Sequence, residues 1–239
     1  MLRNGAETYR VEDTILRLCR SRMNIKYAEA FVTPTGIFIT LEYEDEVLSY
    51  TYRIKSRNID LNKVSLVNEF SRNFVTSHMT TKEGTLILNE IEKKKPYSLP
   101  IQLIFGGLGG SFFSLLSGGT LLDLICTFIT SLSLVGIMYY LREINLSFFL
   151  KNFVGGMIAT ILSIFFVEIG IGQDLDKIII GTIIILVPGV SITNAIRDSI
   201  TEDFLSGISR GMEAVIIALS IAFGVGITLS IYFEALGGI

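Results

Sequence analysis

The chain has 239 residues, 50% of them hydrophobic, with a mean hydropathy of +0.56 and a formal net charge of -3. That is too apolar for an ordinary water-soluble domain and fits a membrane protein with a modest polar part. The near-neutral charge lacks a basic patch, so nucleic acid is excluded as a partner. Cys19, Cys126 and the single histidine have no metal-ligand spacing and form no disulfide framework, so no metal and no cofactor are expected.

Charge divides the chain in two. Up to Tyr97 it holds 15 of the 20 Lys and Arg and 13 of the 23 Asp and Glu. The expected domains are therefore a cytoplasmic α+β domain over 1–97 and a membrane domain over 98–239. The first residues, MLRNGAETYRVED, contain no apolar stretch of a cleavable leader, so the polar part is expected to stay where it is made.

In chain order, Glu7 to Arg22 reads as an amphipathic helix, with Val11, Ile15 and Leu18 at helical spacing. Ile25 to Val32 alternates as a strand. Pro34-Thr35-Gly36 is a turn signal, Ile37 to Tyr43 alternates again, and Glu44-Asp45-Glu46 turns the chain into a third strand ending at Ile54. Leu61, Val64, Val67, Phe70 and Phe74 then make a helix stripe behind Asp60, a candidate N-cap. Thr80 with Glu83 fits a capping box for a last helix before Pro96. His78 has no carboxylate or nucleophile beside it in a motif and reads as a surface or capping residue. Lys93-Lys94-Lys95 marks the linker.

Five apolar segments follow: Leu99–Ser117, Leu121–Leu141, Phe148–Ile169, Leu175 to about Ile196, and Ser206–Phe233. Each reaches the roughly 20 residues a spanning helix needs. The expected fold is an α-helical integral membrane protein with five transmembrane helices and an N-terminal α+β cytoplasmic domain. Lysine and arginine gather at the linker, at Arg142–Lys151 and at Arg197–Arg210, with only Lys177 opposite. That bias places the N-terminus in the cytoplasm and the C-terminus outside, in a multi-pass plasma-membrane protein. Gly106 with Gly110, and Gly155 with Ala159, let helices approach closely inside the bundle. So much glycine also leaves faces to meet another subunit, a second copy included.

The fourth segment carries the candidate site. Pro188-Gly189 should interrupt the helix, and polar groups at membrane depth belong where they line a cavity. A broken span of this kind points to a transporter's binding site. Ser191, Asn194 and Asp198 fall on one face, Thr193 and Arg197 on another. The expected substrate-binding residues are Pro188, Gly189, Ser191, Asn194 and Arg197. The candidates for carrying protons are Asp123, Asp198 and Glu213. Each has a plainer reading: Asp123 as an acid at a helix N-terminus, Glu213 paired with Arg210 within its helix, and the whole stretch as a kinked helix entering a polar loop. Ser199 with Glu202 reads as a capping box for the next helix. Gly207-Ile-Ser209-Arg-Gly211 matches the nucleophile-elbow pattern but lacks the preceding strand and a nearby histidine, so no enzyme is expected.

Four stretches resemble the threonine/serine exporter family: Gly5 to Asp13, Phe31 to Gly36, Val187 to Asp198 and Phe204 to Ala214. The resemblance implies a cytoplasmic domain followed by a membrane domain that exports small polar metabolites. Some relatives carry a second membrane half in the same chain, so a second membrane subunit resembling that half is the implied partner. The expectation is a proton-coupled transporter subunit in the lipid bilayer, exporting threonine, serine or a dicarboxylate such as succinate. The alternative is a membrane-anchored sensor or scaffold whose soluble domain carries the function.

Overall fold

The computed structural model describes residues 1–77, 79–144 and 146–235; the reading of His78 falls outside them. The chain forms two compact units. The first is Met1–Pro96 with Gly189–Glu213, and the second is Tyr97–Pro188 with Ala214–Ile239.

In the first unit, helix α1 (Thr8–Arg20) precedes strands β1 (Ile25–Thr33), β2 (Gly36–Tyr43) and β3 (Glu46–Arg53). The strands form an antiparallel sheet in the order β1-β2-β3. Glu44 and Asp45 both have positive φ, the backbone of a tight hairpin turn whose twist matches the strands. Helices α2 (Leu61–Thr76) and α3 (Thr81–Lys93) follow. Asp60 accepts from Lys63 N–H at the start of α2, and Thr80 with Glu83 forms the expected capping box on α3. The core is small: Leu2, Ala6, Val11, Val32, Ile54 and Val64, with Ile15 and Ile37 packed against it.

The second unit holds α4 (Leu99–Leu116), α5 (Leu121–Leu141), α6 (Phe148–Glu168) and α7 (Leu175–Ile183). A short 3-10 turn, Ile184–Leu186, ends the run before Pro188. Helix α8 (Gly189–Ile200) restarts the chain, and α9 (Phe204–Ala235) is one uninterrupted helix. Among the described residues, four helices, α4, α5, α6 and α9, are long and apolar enough to cross a membrane, and the bent pair Leu175–Leu186 with Gly189–Ile200 makes five if counted as one span.

The second unit is built inside out. Its buried positions include Ser111, Ser114, Thr127, Thr130, Ser131 and Thr182, while Phe105, Phe112, Leu116, Leu121 and Phe223 stand exposed. An apolar exterior around a hydroxyl-lined interior suits hydrocarbon as solvent. Most of these hydroxyls satisfy themselves on their own helix: Thr127 donates to Asp123 O, Thr160 to Gly156 O and Thr182 to Ile178 O. Thr130 and Thr182 also bond to each other at 2.6 Å across α5 and α7.

Glycine sets the helix spacing. A Cβ on Gly181 would lie 2.7 Å from Gly110 O, and one on Gly110 would lie 2.8 Å from Gly181 O, so α4 and α7 meet backbone to backbone. Gly106 faces Val135 of α5, and Ala159 is fully buried in a cluster with Leu134, Leu186 and Ile221. Both small-residue pairs thus pack within the chain.

Candidate functional site

The residues leading into α1 and its first residue form a clamp. Four consecutive residues, Gly5-Ala6-Glu7-Thr8, each bond to the segment Gly189–Glu213. Asn194 Nδ2 donates to Gly5 O at 2.9 Å. Arg210 donates to Ala6 O at 2.8 Å. Glu7 accepts from Arg10 at 2.7 Å and also pairs with Arg197. The Thr8 hydroxyl lies 2.9 Å from both Asp198 Oδ1 and Asp203 Oδ2. Gly5 has a φ of +92°, which swings its carbonyl out of the Leu2–Asn4 turn.

Charge is buried here. Asp198 is fully buried, the Arg210 side chain is 5% exposed, and the two approach to 3.0 Å. The Arg210 Nε to Asp198 Oδ2 contact is an ion pair with poor hydrogen-bond direction, so neither atom has a well-aligned partner. Such a pair persists only because each charge needs the other. Burial pushes the Glu7 carboxyl up, but hydrogen bonds from its own backbone N–H, Arg10 and Arg197 outweigh it and hold it below the ordinary carboxylate value. Glu12 goes the other way. Burial raises it, the hydrogen bond from Val32 N–H opposes, and the negative charges of Asp203 and Asp198 raise it further.

Beside the clamp lies a cavity of about 590 Å³. Gly189, Val190, Thr193 and Asn194 line it from α8, and Gly5, Glu7 and Arg10 from the clamp. Leu61 and Val64 add an apolar wall. The first turn of α8 faces this space, where backbone N–H groups have no partner within the helix.

Of the five expected substrate residues, Gly189 and Asn194 line the cavity. Pro188 is buried and Ser191 half-buried. Arg197 is held by Glu7, itself a lining residue. The three proton candidates each have partners of their own, Asp123 in the second unit and Asp198 and Glu213 in the first. Asp123 closes a capping box with Thr120, and its other oxygen accepts from Gln173 N–H at 2.8 Å and Asp174 N–H at 3.0 Å. Asp198 sits in the clamp. Glu213 pairs with Arg57 at 2.9 Å rather than with Arg210, because Arg210 is turned toward Asp198.

One expected cap does not form. The Ser199 hydroxyl donates to Ala195 O, Glu202 takes a left-handed φ of +67°, and Asp203 caps α9 by accepting from Ser206 N–H. Glycine at 207 leaves room for Ser199, since a Cβ there would lie 2.2 Å from its hydroxyl. Gly207-Ile-Ser209-Arg-Gly211 is plain α9 helix, with no strand leading into it. Among the described residues, no group of three or more His, Cys, Asp and Glu is placed to hold a metal. Sequence reasoning missed Glu7, Thr8, Arg10, Asp203 and Arg57. The signal for the first three was their place in the Gly5–Asp13 stretch.

The family described as "Putative threonine/serine exporter" matches residues 1–232. This chain belongs to the threonine/serine exporter family. A "Threonine/serine exporter" of Corynebacterium glutamicum is 28% identical over 225 residues, covering 90% of this chain and 46% of that protein. A Schizosaccharomyces pombe protein whose name assigns no activity is 25% identical, over 97% of this chain and 29% of its own length. The chain thus spans less than half the length of these two relatives. A Klebsiella aerogenes protein named "Probable succinate transporter subunit YjjP" is 22% identical over 97% of this chain and 90% of its own length. No solved structure matches. Family membership and the apolar helices together make this exporter-family chain a multi-pass membrane protein. Three of the stretches that carry the family resemblance, around Gly5–Asp13, Val187–Asp198 and Phe204–Ala214, meet at the clamp.

Proposed function

We propose that this chain is one subunit of an exporter for small carboxylate-bearing metabolites, and that the cavity at the start of α8 receives the substrate. The observation that carries this reading is the convergence of a helix N-terminus, Arg10, Glu7 and Asn194 on one hollow of about 590 Å³ directly after a helix break. A substrate carboxylate is held by the first-turn N–H groups of α8 and by Arg10. Glu7 suits the ammonium of threonine or serine. For a dicarboxylate, Arg197 leaves Glu7 and takes the second carboxylate. Pro188 fixes the break, and Ser191 lies in the first turn of α8.

The proton is carried at Asp198, which is charged against Arg210 in one state and protonated in the other. One Thr8 hydroxyl hydrogen serves two carboxylates, each at 2.9 Å. Both contacts are strong only when one carboxylate is protonated and donates back. Losing that proton weakens the Thr8 contact and loosens the clamp beside the substrate. The bonding of Asp123 and Glu213 supports structural parts for both. A second membrane subunit completes the pathway; the name of the Klebsiella relative, matched over most of its length, supports this. The first unit lies in the cytoplasm.

The test is export from loaded cells co-expressing the partner. Asn194→Ala and Arg10→Ala are expected to lower export at least tenfold with normal protein levels, and Glu7→Gln to reduce amino-acid export more than dicarboxylate export. Unchanged rates and substrate choice in all three remove the cavity from the pathway.

A further inference from the structure

The first unit contains a second cavity, of about 560 Å³, whose residues share nothing with the cavity at α8. It lies where the segment after β3 runs beside the first residues of the chain: Asn58 N–H donates to Arg3 O at 2.8 Å and Asp60 N–H to Asn4 O at 3.1 Å. That pairing sets Arg3 and Arg57 on one wall. Lys63, in the first turn of α2, faces them and is steadied by the backbone carbonyl of Glu92 at 2.8 Å. Val67, Leu88 and Ile91 from α2 and α3 form an apolar floor.

Three cationic side chains line this hollow against a single lining carboxylate, Glu92, which is 74% exposed and reaches Arg3 only at 3.9 Å. An exposed pair at that distance neutralises little. Like charges held around one cavity repel, and an entering anion relieves that repulsion. Guanidinium groups also match carboxylate and phosphate oxygens in pairs. The apolar floor suits an organic anion better than a bare inorganic ion.

We propose that this cavity is a regulatory binding site for a small organic anion bearing phosphate or carboxylate groups, and that its occupancy draws Arg57 away from Glu213. Arg57 now pairs with Glu213 at 2.9 Å, and Glu213 belongs to α9, which continues without a break to Ala235. Ligand and Glu213 therefore compete for one guanidinium. The site is separate from the transport cavity and does not depend on its assignment.

Calorimetric titration of the full chain in detergent tests this with three probes: pyrophosphate, adenosine monophosphate and citrate. Saturable binding of at least one is expected, and the pattern among the three tells phosphate from carboxylate recognition. Arg3→Gln with Lys63→Gln is expected to weaken binding at least tenfold. Glu213→Gln is expected to tighten it several-fold, a gain that a poorly folded variant does not give. Asn194→Ala is expected to leave it unchanged while export falls. No saturable binding of any probe, or binding indifferent to both the Arg3/Lys63 pair and Glu213, overturns the proposal.

Discussion

In the first unit the buried polar groups include charged ones, Glu7, Asp198 and Arg210, that bond across nearly the whole chain: Asp198 accepts from Thr8, and Arg210 donates to Ala6 O. In the second unit, Asp123 apart, they are hydroxyls that bond mostly to their own helix, as Thr127 and Thr160 do. The difference is the one expected where water surrounds the first unit and hydrocarbon the second. A water-facing unit can hold charge at its margin and draw it inward by pairing, whereas helices in hydrocarbon must satisfy polar atoms locally and gain close packing from glycine and serine. Mutations that exploit this contrast are expected to behave differently in the two units.

The largest effect is expected in the clamp. Arg210→Ala leaves Asp198 buried without its partner, at a cost of about 3–5 kcal/mol. Denaturant unfolding of the purified protein measures it. A double Asp198→Leu, Arg210→Met replacement is expected to recover most of the loss. A cost for Arg210→Ala no larger than that of a surface substitution would show that charge does not hold this unit together.

Next comes the glycine contact of the second unit. Gly181→Ala pushes a methyl against Gly110 O and is expected to cost about 1–3 kcal/mol. Gly109→Ala, where nothing lies within 4 Å of the added Cβ, is expected to be neutral or to stabilise α4 by up to about 1 kcal/mol. Thermal unfolding in detergent compares the two, and equal effects would remove close backbone approach as the reason for glycine there. Thr120→Ala, which opens the box with Asp123, is expected to cost about 1 kcal/mol.

The smallest effects are pH-dependent and belong to the first unit. The Glu7 carboxyl is depressed in the folded state, so its contribution is complete above the unfolded value and lost as pH falls through the folded one. Glu7→Gln should flatten the acid limb of stability against pH. Glu12 is raised, so the unfolded chain ionises first and stability declines as pH climbs from the unfolded to the folded value. Glu12→Gln keeps an acceptor for Val32 N–H and should slightly raise stability at neutral pH. A loss there would reverse the sign assigned to this group.

Much of the fold was legible in the sequence because local rules dominate it. Alternation placed the three strands, Asp60 and Thr80 marked helix starts through their own hydrogen bonds, and Leu121–Leu141 emerged with the same ends in both readings. The break at Pro188 is likewise local. The clamp was not legible. Its bonds join residues about 190 to 204 positions apart, and no window of neighbouring residues encodes them. For the same reason Arg210 reads locally as a partner for Glu213, although burial favours Asp198. Ser199 and Glu202 satisfy the spacing of a capping box, yet α8 runs on to Ile200 and the left-handed turn at Glu202 hands the cap to Asp203.

The central claim is that substrate occupies the cavity at the start of α8. Thr193 lines it, and the neighbouring Ile192 is exposed but does not. In a chain with Cys19 and Cys126 replaced by serine, single cysteines at 192 and 193 can be labelled with a thiol reagent in transport-competent vesicles containing the partner subunit. Saturating threonine, serine or succinate is expected to slow labelling at 193 severalfold and leave 192 unchanged. Equal labelling at 193 with and without a substrate that the vesicles demonstrably export would contradict the account.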